Sequence, residues 1–444
     1  MFVINYIVQL GASVMMPIIF TILGLILGLG IGKSLKSGLS VGVGFVGLSV
    51  VTALLSDNLG PAVNKMTEIY NLKLNILDIG WPAASQIAFG SKVGAIMIPF
   101  GLLINIVMIV SKTTKTINID IWNYWHFAFI GSIVALGTNN IGWGLFAASI
   151  SFIITLVIAD RTSKDVGEFY DNLDGISLPQ AFSATYAPFA VMLNKILDLI
   201  PGMDKVDIDA EGMQKKFGVI GEPIFLGVII GSLLGLIAKY PLDKVLKLGI
   251  TMSAVMVLIP RITGLFIEGL VPISEATKSL IEKRFSKYKG LKIGMSPALV
   301  IGHPTILVVS LLLVPCILFL SVVLPGNQFL PLTSLAGLIY IFPLIIPITK
   351  GNVLKTFIIG LVMLVAGNYI ATNIASIFTQ AAVFSGVTLP QGTVAVASID
   401  FAASPMTWAI YHLSRLNIIG PIILSVLTLL TMLWNRKKIT QDVK

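Results

Sequence analysis

Charge is scarce in this chain: Asp, Glu, Lys and Arg together make up 11% of its 444 residues, against roughly 25% in an ordinary soluble domain. A water-exposed surface cannot be built from that composition. With 56% apolar residues and many segments near the ~20 apolar residues of a bilayer crossing, the chain reads as an integral membrane protein. Cysteine occurs once, as Cys316 inside the apolar run 311–320. A single cysteine excludes an internal disulfide, and a thiol among apolar side chains is inert rather than catalytic. The three histidines, His126, His303 and His412, lie too far apart for a metal-binding pair at helical spacing, so neither a metal nor a cofactor is expected. The net charge of +9 does not imply nucleic acid, because the basic residues fall in short loops between apolar segments. Gly32-Lys33-Ser34 lacks the glycine that a phosphate-binding loop needs five positions earlier, where Leu27 stands, and an apolar span precedes it instead of a strand. Residues 1–10 hold no Lys or Arg and no cleavage pattern, so no cleaved signal peptide is expected.

What is present is hydrophobic sequence with regular interruptions. Eleven helical spans are predicted at about 11–31, 39–56, 93–111, 122–138, 141–159, 219–238, 246–264, 304–324, 332–349, 355–376 and 417–434. An odd count places the termini on opposite sides. With the C-terminus inside, 23 of the 30 basic residues fall on the cytoplasmic side, which predicts the N-terminus outside and the C-terminus inside. The segment between the halves, 160–218, and the basic segment 265–292 are expected to be cytoplasmic connectors. Gly24, Gly28 and Gly32 of the first span are echoed by Gly227, Gly231 and Gly235 of the sixth, a spacing that allows close helix approach. The fold class expected is an all-α polytopic membrane protein built of two inverted five-span repeats, 1–200 and 219–413. A connector at 201–218 joins them, and an unpaired final span with a cytoplasmic tail occupies 414–444.

Four stretches, 79–91, 176–200, 293–303 and 393–413, are too short, polar or interrupted for ordinary spans and are expected to be re-entrant hairpins. Residues 79–91 and 293–305 carry Gly and Pro breaks at matching places in the two halves. Unwound backbone at membrane depth survives where it lines a cavity, so paired breaks point to a transporter's binding site. Polar residues at that depth are the candidates for it: Ser85 and Gln86 in the first break, His303 in the second, and Gln180 and Asp400 in the last hairpin of each half. His126 in Trp122-Asn-Tyr-Trp-His126 reads either as a site residue or as part of an interfacial aromatic belt. Glu222 reads equally as a ligand and as a helix-terminal carboxylate. Groups that are mostly uncharged and hydrogen-bonding suit a polyhydroxylated ligand.

The segments Phe45-Val-Gly-Leu, Asn58-Leu-Gly-Pro61, Asp78-Ile-Gly-Trp-Pro82, Ile119-Asp-Ile-Trp-Asn123 with His126, Lys216-Phe-Gly-Val-Ile-Gly-Glu-Pro223, Gly302-His303, Pro325-Gly-Asn-Gln328 and Ser404-Pro-Met-Thr-Trp408 occur in an order that resembles the galactitol-type enzyme IIC of the bacterial phosphoenolpyruvate-dependent phosphotransferase system. The ascorbate-type IIC proteins look like more distant relatives. The resemblance implies a homodimeric permease without enzymatic activity of its own. A core domain would carry an alditol across the membrane to a phosphocysteine on a separate IIB subunit, itself charged from a IIA phosphohistidine. It implies a site of Ser85, Gln86, His126, Gln180, Ser296, His303 and Asp400, with Asp400 or His303 as acid, base or positioning group. The chain departs from the family pattern at Gln180, where His is frequent, and at Ser296, where an acid is common. Two other readings compete: a cation-gradient transporter coupling through Asp57, Glu222 or Asp400, and an intramembrane enzyme acting on lipid, for which no paired carboxylates or metal ligands are visible.

Overall fold

The computed structural model describes residues 12–70, 73–170, 173–203, 206, 210–211, 222–284, 290–389 and 392–441. Residues 216–221 of one resemblance motif and Lys287 and Lys289 of the basic segment lie outside them. In chain order the helices are α1 (Ala12–Ile26), α2 (Ile31–Tyr70), α3 (Gly80–Phe89), α4 (Lys92–Val110), α5 (Tyr124–Thr138), α6 (Ile141–Phe169), α7 (Ala181–Leu197), α8 (Pro223–Ile237), α9 (Leu242–Arg284), α10 (Pro304–Val323), α11 (Ile345–Thr349), α12 (Val353–Phe384), α13 (Pro405–Ser414) and α14 (Ile419–Gln441). Among the described residues six helices are long and apolar enough to cross a membrane, and the shorter Ser13–Ile26 and Ile224–Ile237 are apolar as well. The protein is a mainly helical, polytopic membrane protein.

Helix starts follow local chemistry. Asn140 accepts from Gly142 N at 2.8 Å to open α6, and Asn352 accepts from Lys355 N at 2.9 Å to open α12. Such side chains satisfy amide donors that have no partner inside the helix. Helices α4, α5 and α10 coincide with predicted spans to within about two residues. Two others run much further. Helices α2 and α9 have 40 and 43 residues, about 60 Å or more at 1.5 Å per residue, twice the hydrocarbon thickness. The basic segment predicted as a connector from 265 is therefore helical to Arg284. These two helices pack on each other, with α1 against α2 and α8 against α9. The glycine echo holds at α8, where a Cβ on Gly227 would stand 2.3 Å from Ser253 Cα. It fails at Gly28, which instead ends α1 with φ +83°.

Two expectations need correction. The span predicted at 332–349 is a 3-10 turn, Ser334–Tyr340, followed by the five-residue α11. Pro331, Pro343 and Pro347 make this run apolar without letting it form a long helix. The fold is also not purely α: among the described residues five strands of two or three residues, β1 (Ile76–Asp78), β2 (Thr116–Asn118), β3 (Ile176–Ser177), β4 (Lys292–Gly294) and β5 (Ala395–Ala397), form two parallel sheets. Strand β1 pairs with β5, and Ile76 also bridges Phe329. Strand β4 lies between β2 and β3. Each sheet thus joins one segment from one half of the chain to two from the other. Backbone that is unwound and shielded from water must find partners, and here the interrupted segments supply them to one another.

The last helix is tied to α6. Asp160 of α6 accepts from Thr114 Oγ1 at 2.7 Å, Thr116 Oγ1 at 2.8 Å, the Lys115 amide, and Asn435 Nδ2 of α14 at 2.7 Å. The Arg161 guanidinium lies 3.3 Å from the ring centre of Trp434. The opposite side of α14 exposes Leu427, Leu430 and Leu433, as a lipid-facing surface would.

Candidate functional site

The two small sheets aim the carboxyl ends of their strands at one cavity. Trp81 lies three residues beyond β1, Gln180 three beyond β3, Asp400 three beyond β5 and Ser296 two beyond β4; Trp122 and Asn123 follow β2. All six line the same cavity, together with Trp125, His126, Phe182, Ala298, Gly337 and Tyr340. Its volume is about 50 Å³, well below the roughly 300–1,000 Å³ of sites that hold a small molecule, so the walls stand closer together here than an occupied site requires. Gly80 permits the turn between β1 and α3: its φ is +70°, and a Cβ would stand 2.4 Å from Thr333 Cγ2.

The cavity combines aromatic walls with a few oriented polar groups. Trp81 and Trp122 meet edge to face at 6.1 Å, and Trp125 stacks on His126 at 3.9 Å. His126 Nδ1 is 2.8 Å from the Asn123 carbonyl. That oxygen can only accept, so Nδ1 carries the proton and Nε2 is left as an acceptor. Gln180 Nε2 donates to Asn123 Oδ1 at 3.5 Å, and Asn123 Nδ2 donates in turn to Asp120 Oδ2. The Ser296 hydroxyl is another side-chain partner of Asp120. On the facing wall Asp400 accepts from Ser398 Oγ at 2.5 Å and from Ala402 N at 2.6 Å. Behind it the buried Asp78 carboxylate takes four donors: Gly80 N, Leu332 N, Ser334 N and Ser334 Oγ, at 2.7–3.0 Å.

Of the predicted site residues, the structure brings His126, Gln180, Ser296 and Asp400 together. Ser85 is buried one turn along α3 and donates to Pro82 O. Gln86 points to α2, where Ser49 Oγ donates to its Oε1 at 3.0 Å while its buried Nε2 has no partner among the described residues. His303 caps α10 by accepting from Thr305 N and lies against the rings of Phe169 and Tyr170. Glu222 is exposed at the start of α8 and makes no capping hydrogen bond. Asp57 is exposed beside a different cavity, at the amino-terminal end of β1 and β5. Sequence reasoning did not single out Asp78, Asp120, Asn123, Trp81 or Tyr340. A signal existed for the two acids: Asp78-Ile79 and Asp120-Ile121 are both followed within two residues by Trp, and isolated acids are rare in so apolar a chain.

Over residues 6–392 the chain matches the family model EIIC-GAT, described as the sugar-specific permease component of the PTS system. It is 35% identical over 439 residues to the galactitol-specific EIIC components of Escherichia coli K12 and O157:H7, covering 98% of this chain and 96% of theirs. A putative permease IIC component of strain K12 is likewise 35% identical over 434 residues, covering 98% of this chain and 99% of that protein. The chain belongs to the EIIC-GAT permease family. As an EIIC component it is a multi-pass transport subunit of a sugar phosphotransferase system, and its paired strand ends surround the cavity lined by Asp400, Gln180 and His126.

Proposed function

We propose that this EIIC protein binds an alditol, galactitol or a close relative, in the cavity between the two sheets and presents it inside for phosphorylation by a separate IIB subunit. The observation that carries the reading is the pairing of the Asp400 carboxylate with the Gln180 and Asn123 amides across aromatic walls. Carboxylate and amide groups take hydroxyl hydrogen bonds, while indole faces pack on the C–H surface between them. In the transfer, a substrate hydroxyl oxygen forms the new P–O bond as the P–S bond to the IIB cysteine breaks and the thiolate departs. Asp400 is the cavity carboxylate that can receive the hydroxyl proton. The protein's contribution is alignment of the acceptor, which is most of what phosphoryl transfer asks of its catalyst.

The test is phosphorylation of radiolabelled galactitol by membranes containing this chain, supplied with IIA and IIB proteins, the general phosphotransferase components and phosphoenolpyruvate. Phosphorylated product dependent on both the chain and phosphoenolpyruvate is expected. Uptake of unmodified substrate driven by an ion gradient, with no phosphorylated product from a panel of alditols, would replace this reading with secondary transport.

Two inverted repeats are supported by the recurrence of one element order. A helix pair, a strand, a short helix, a long helix, a second interrupted segment and a further long helix, strand and short helix run through 12–197 and again through 223–414. Inversion requires the strand ends of the two sheets to enter from opposite faces, with the C-terminus inside. In a Cys316→Ser background, a cysteine at Lys73 is expected to react with an impermeant maleimide on intact cells, and one at Lys437 only after permeabilisation. The reverse pattern would invert the topology.

A further inference from the structure

Asp400 is held by a chain of buried hydroxyls that ends on a second carboxylate. Ser398 Oγ donates to Asp400 Oδ2 at 2.5 Å and stands 3.4 Å from Ser334 Oγ. Ser334 Oγ donates to Asp78 Oδ1 at 2.7 Å and accepts from Ile399 N at 2.8 Å. All four side chains are at most 2% exposed. Each serine has one proton to give, and a carboxylate at either end claims it. The two hydroxyls therefore meet through lone pairs, and Ser398 cannot rotate without taking its donor from Asp400 Oδ2, whereas Asp78 Oδ1 is also held by Gly80 N. Asp78, fixed by four donors, thus sets the orientation of Ser334, which holds the Ile399 amide and with it the backbone that carries Ser398 and Asp400.

The consequence concerns what Asp400 can hold. A carboxylate oxygen offers two acceptor positions. One on Oδ1 is taken by Ala402 N and one on Oδ2 by Ser398 Oγ, leaving one on each oxygen of a residue that lines the cavity. Two adjacent acceptors in one plane match two donors on neighbouring atoms, the geometry by which carboxylates take forked partners. We infer that Ser398, braced by Ser334 and Asp78, is a positioning residue that presents Asp400 to a vicinal diol of the substrate, so that selectivity for neighbouring hydroxyls originates at this wall. The inference rests on the cavity being the alditol site.

The experiment titrates the intrinsic tryptophan fluorescence of the purified full chain in lipid nanodiscs, since Trp81, Trp122 and Trp125 line the cavity. The probes are galactitol and its deoxy analogues lacking one hydroxyl of a neighbouring pair. The wild-type protein is expected to prefer galactitol over at least one analogue by about tenfold, the loss of roughly one hydrogen bond to a charged acceptor. Ser398→Ala is expected to weaken galactitol about tenfold and that analogue by less than threefold, so that the preference collapses. A merely structural role would weaken both alike. Ser398→Cys keeps the volume while donating weakly, and it decides the matter if Ser398→Ala does not yield monodisperse protein. Unchanged affinity and preference in the variant that folds would overturn the positioning role, and a parallel loss for both probes would overturn it too. Asp400→Asn separates the two levels: if it abolishes galactitol binding while the Ser398 variants keep the preference, the positioning role alone falls. If Asp400→Asn binds galactitol as the wild type does, the cavity reading falls, and the inference with it.

Discussion

Asp400→Asn is expected to lower phosphoenolpyruvate-dependent galactitol phosphorylation by about 100-fold or more while leaving the amount of folded protein in the membrane near wild type. The substitution keeps the volume and one acceptor oxygen but replaces the other, the one facing Ser398 Oγ or the one facing Ala402 N, with a donor. Hydrogen bonds to an ionised partner contribute about 1.5–3 kcal/mol each, and two substrate bonds at the lower figure correspond to roughly 100-fold. Loss of a proton acceptor for the attacking hydroxyl adds to this. Folding is spared because the Ser398 hydroxyl can turn and the backbone donor at Ala402 retains an oxygen in one of the two amide orientations. Rates measured at limiting and saturating galactitol read the effect, and a change below threefold in both would remove Asp400 from the reaction.

Asp78→Ala is expected to prevent accumulation of folded protein altogether. The carboxylate satisfies three backbone amides, Gly80, Leu332 and Ser334, and one hydroxyl, in surroundings that leave it 1% exposed. Each stranded donor costs about 1–3 kcal/mol, so four cost roughly 4–12 kcal/mol, comparable with the whole 5–15 kcal/mol that stabilises a typical domain. The damage is not local, because these bonds fasten β1 of the first half to the 332–334 segment of the second. Size-exclusion profiles of detergent-extracted protein give the result, with Asp57→Ala, at an exposed acid, as the control expected to behave as wild type. A monodisperse Asp78→Ala protein with unchanged thermal stability would show that Asp78 is not the fastening its hydrogen bonds imply.

The two acids show how far sequence reading reaches. Asp400 was visible as a lone carboxylate in an apolar chain within a broken segment, and Gln180 as its counterpart in the other half; the structure places both on one cavity. Asp78 stood in a quoted motif, yet nothing local distinguishes an acid that binds substrate from one that binds backbone. That difference depends on Leu332 and Ser334, about 250 residues away. Gln86 illustrates the opposite case: its place in the paired break points to the site, but its buried side chain faces Ser49 on α2 and does not line the cavity.

Composition alone determined that this is a membrane protein, because 11% charge cannot clothe a soluble surface, and hydrophobic run length placed α4, α5 and α10, because a helix in lipid must close its own hydrogen bonds. Family membership was likewise legible in the order of its short motifs. The tertiary structure decided what the interruptions become. Strands of two or three residues carry no periodicity to read, and their partners come from the other half of the chain. Only pairing across the halves turns five separate strand ends into one cavity wall, because each unwound segment lacks the hydrogen-bond partners to stand at membrane depth by itself.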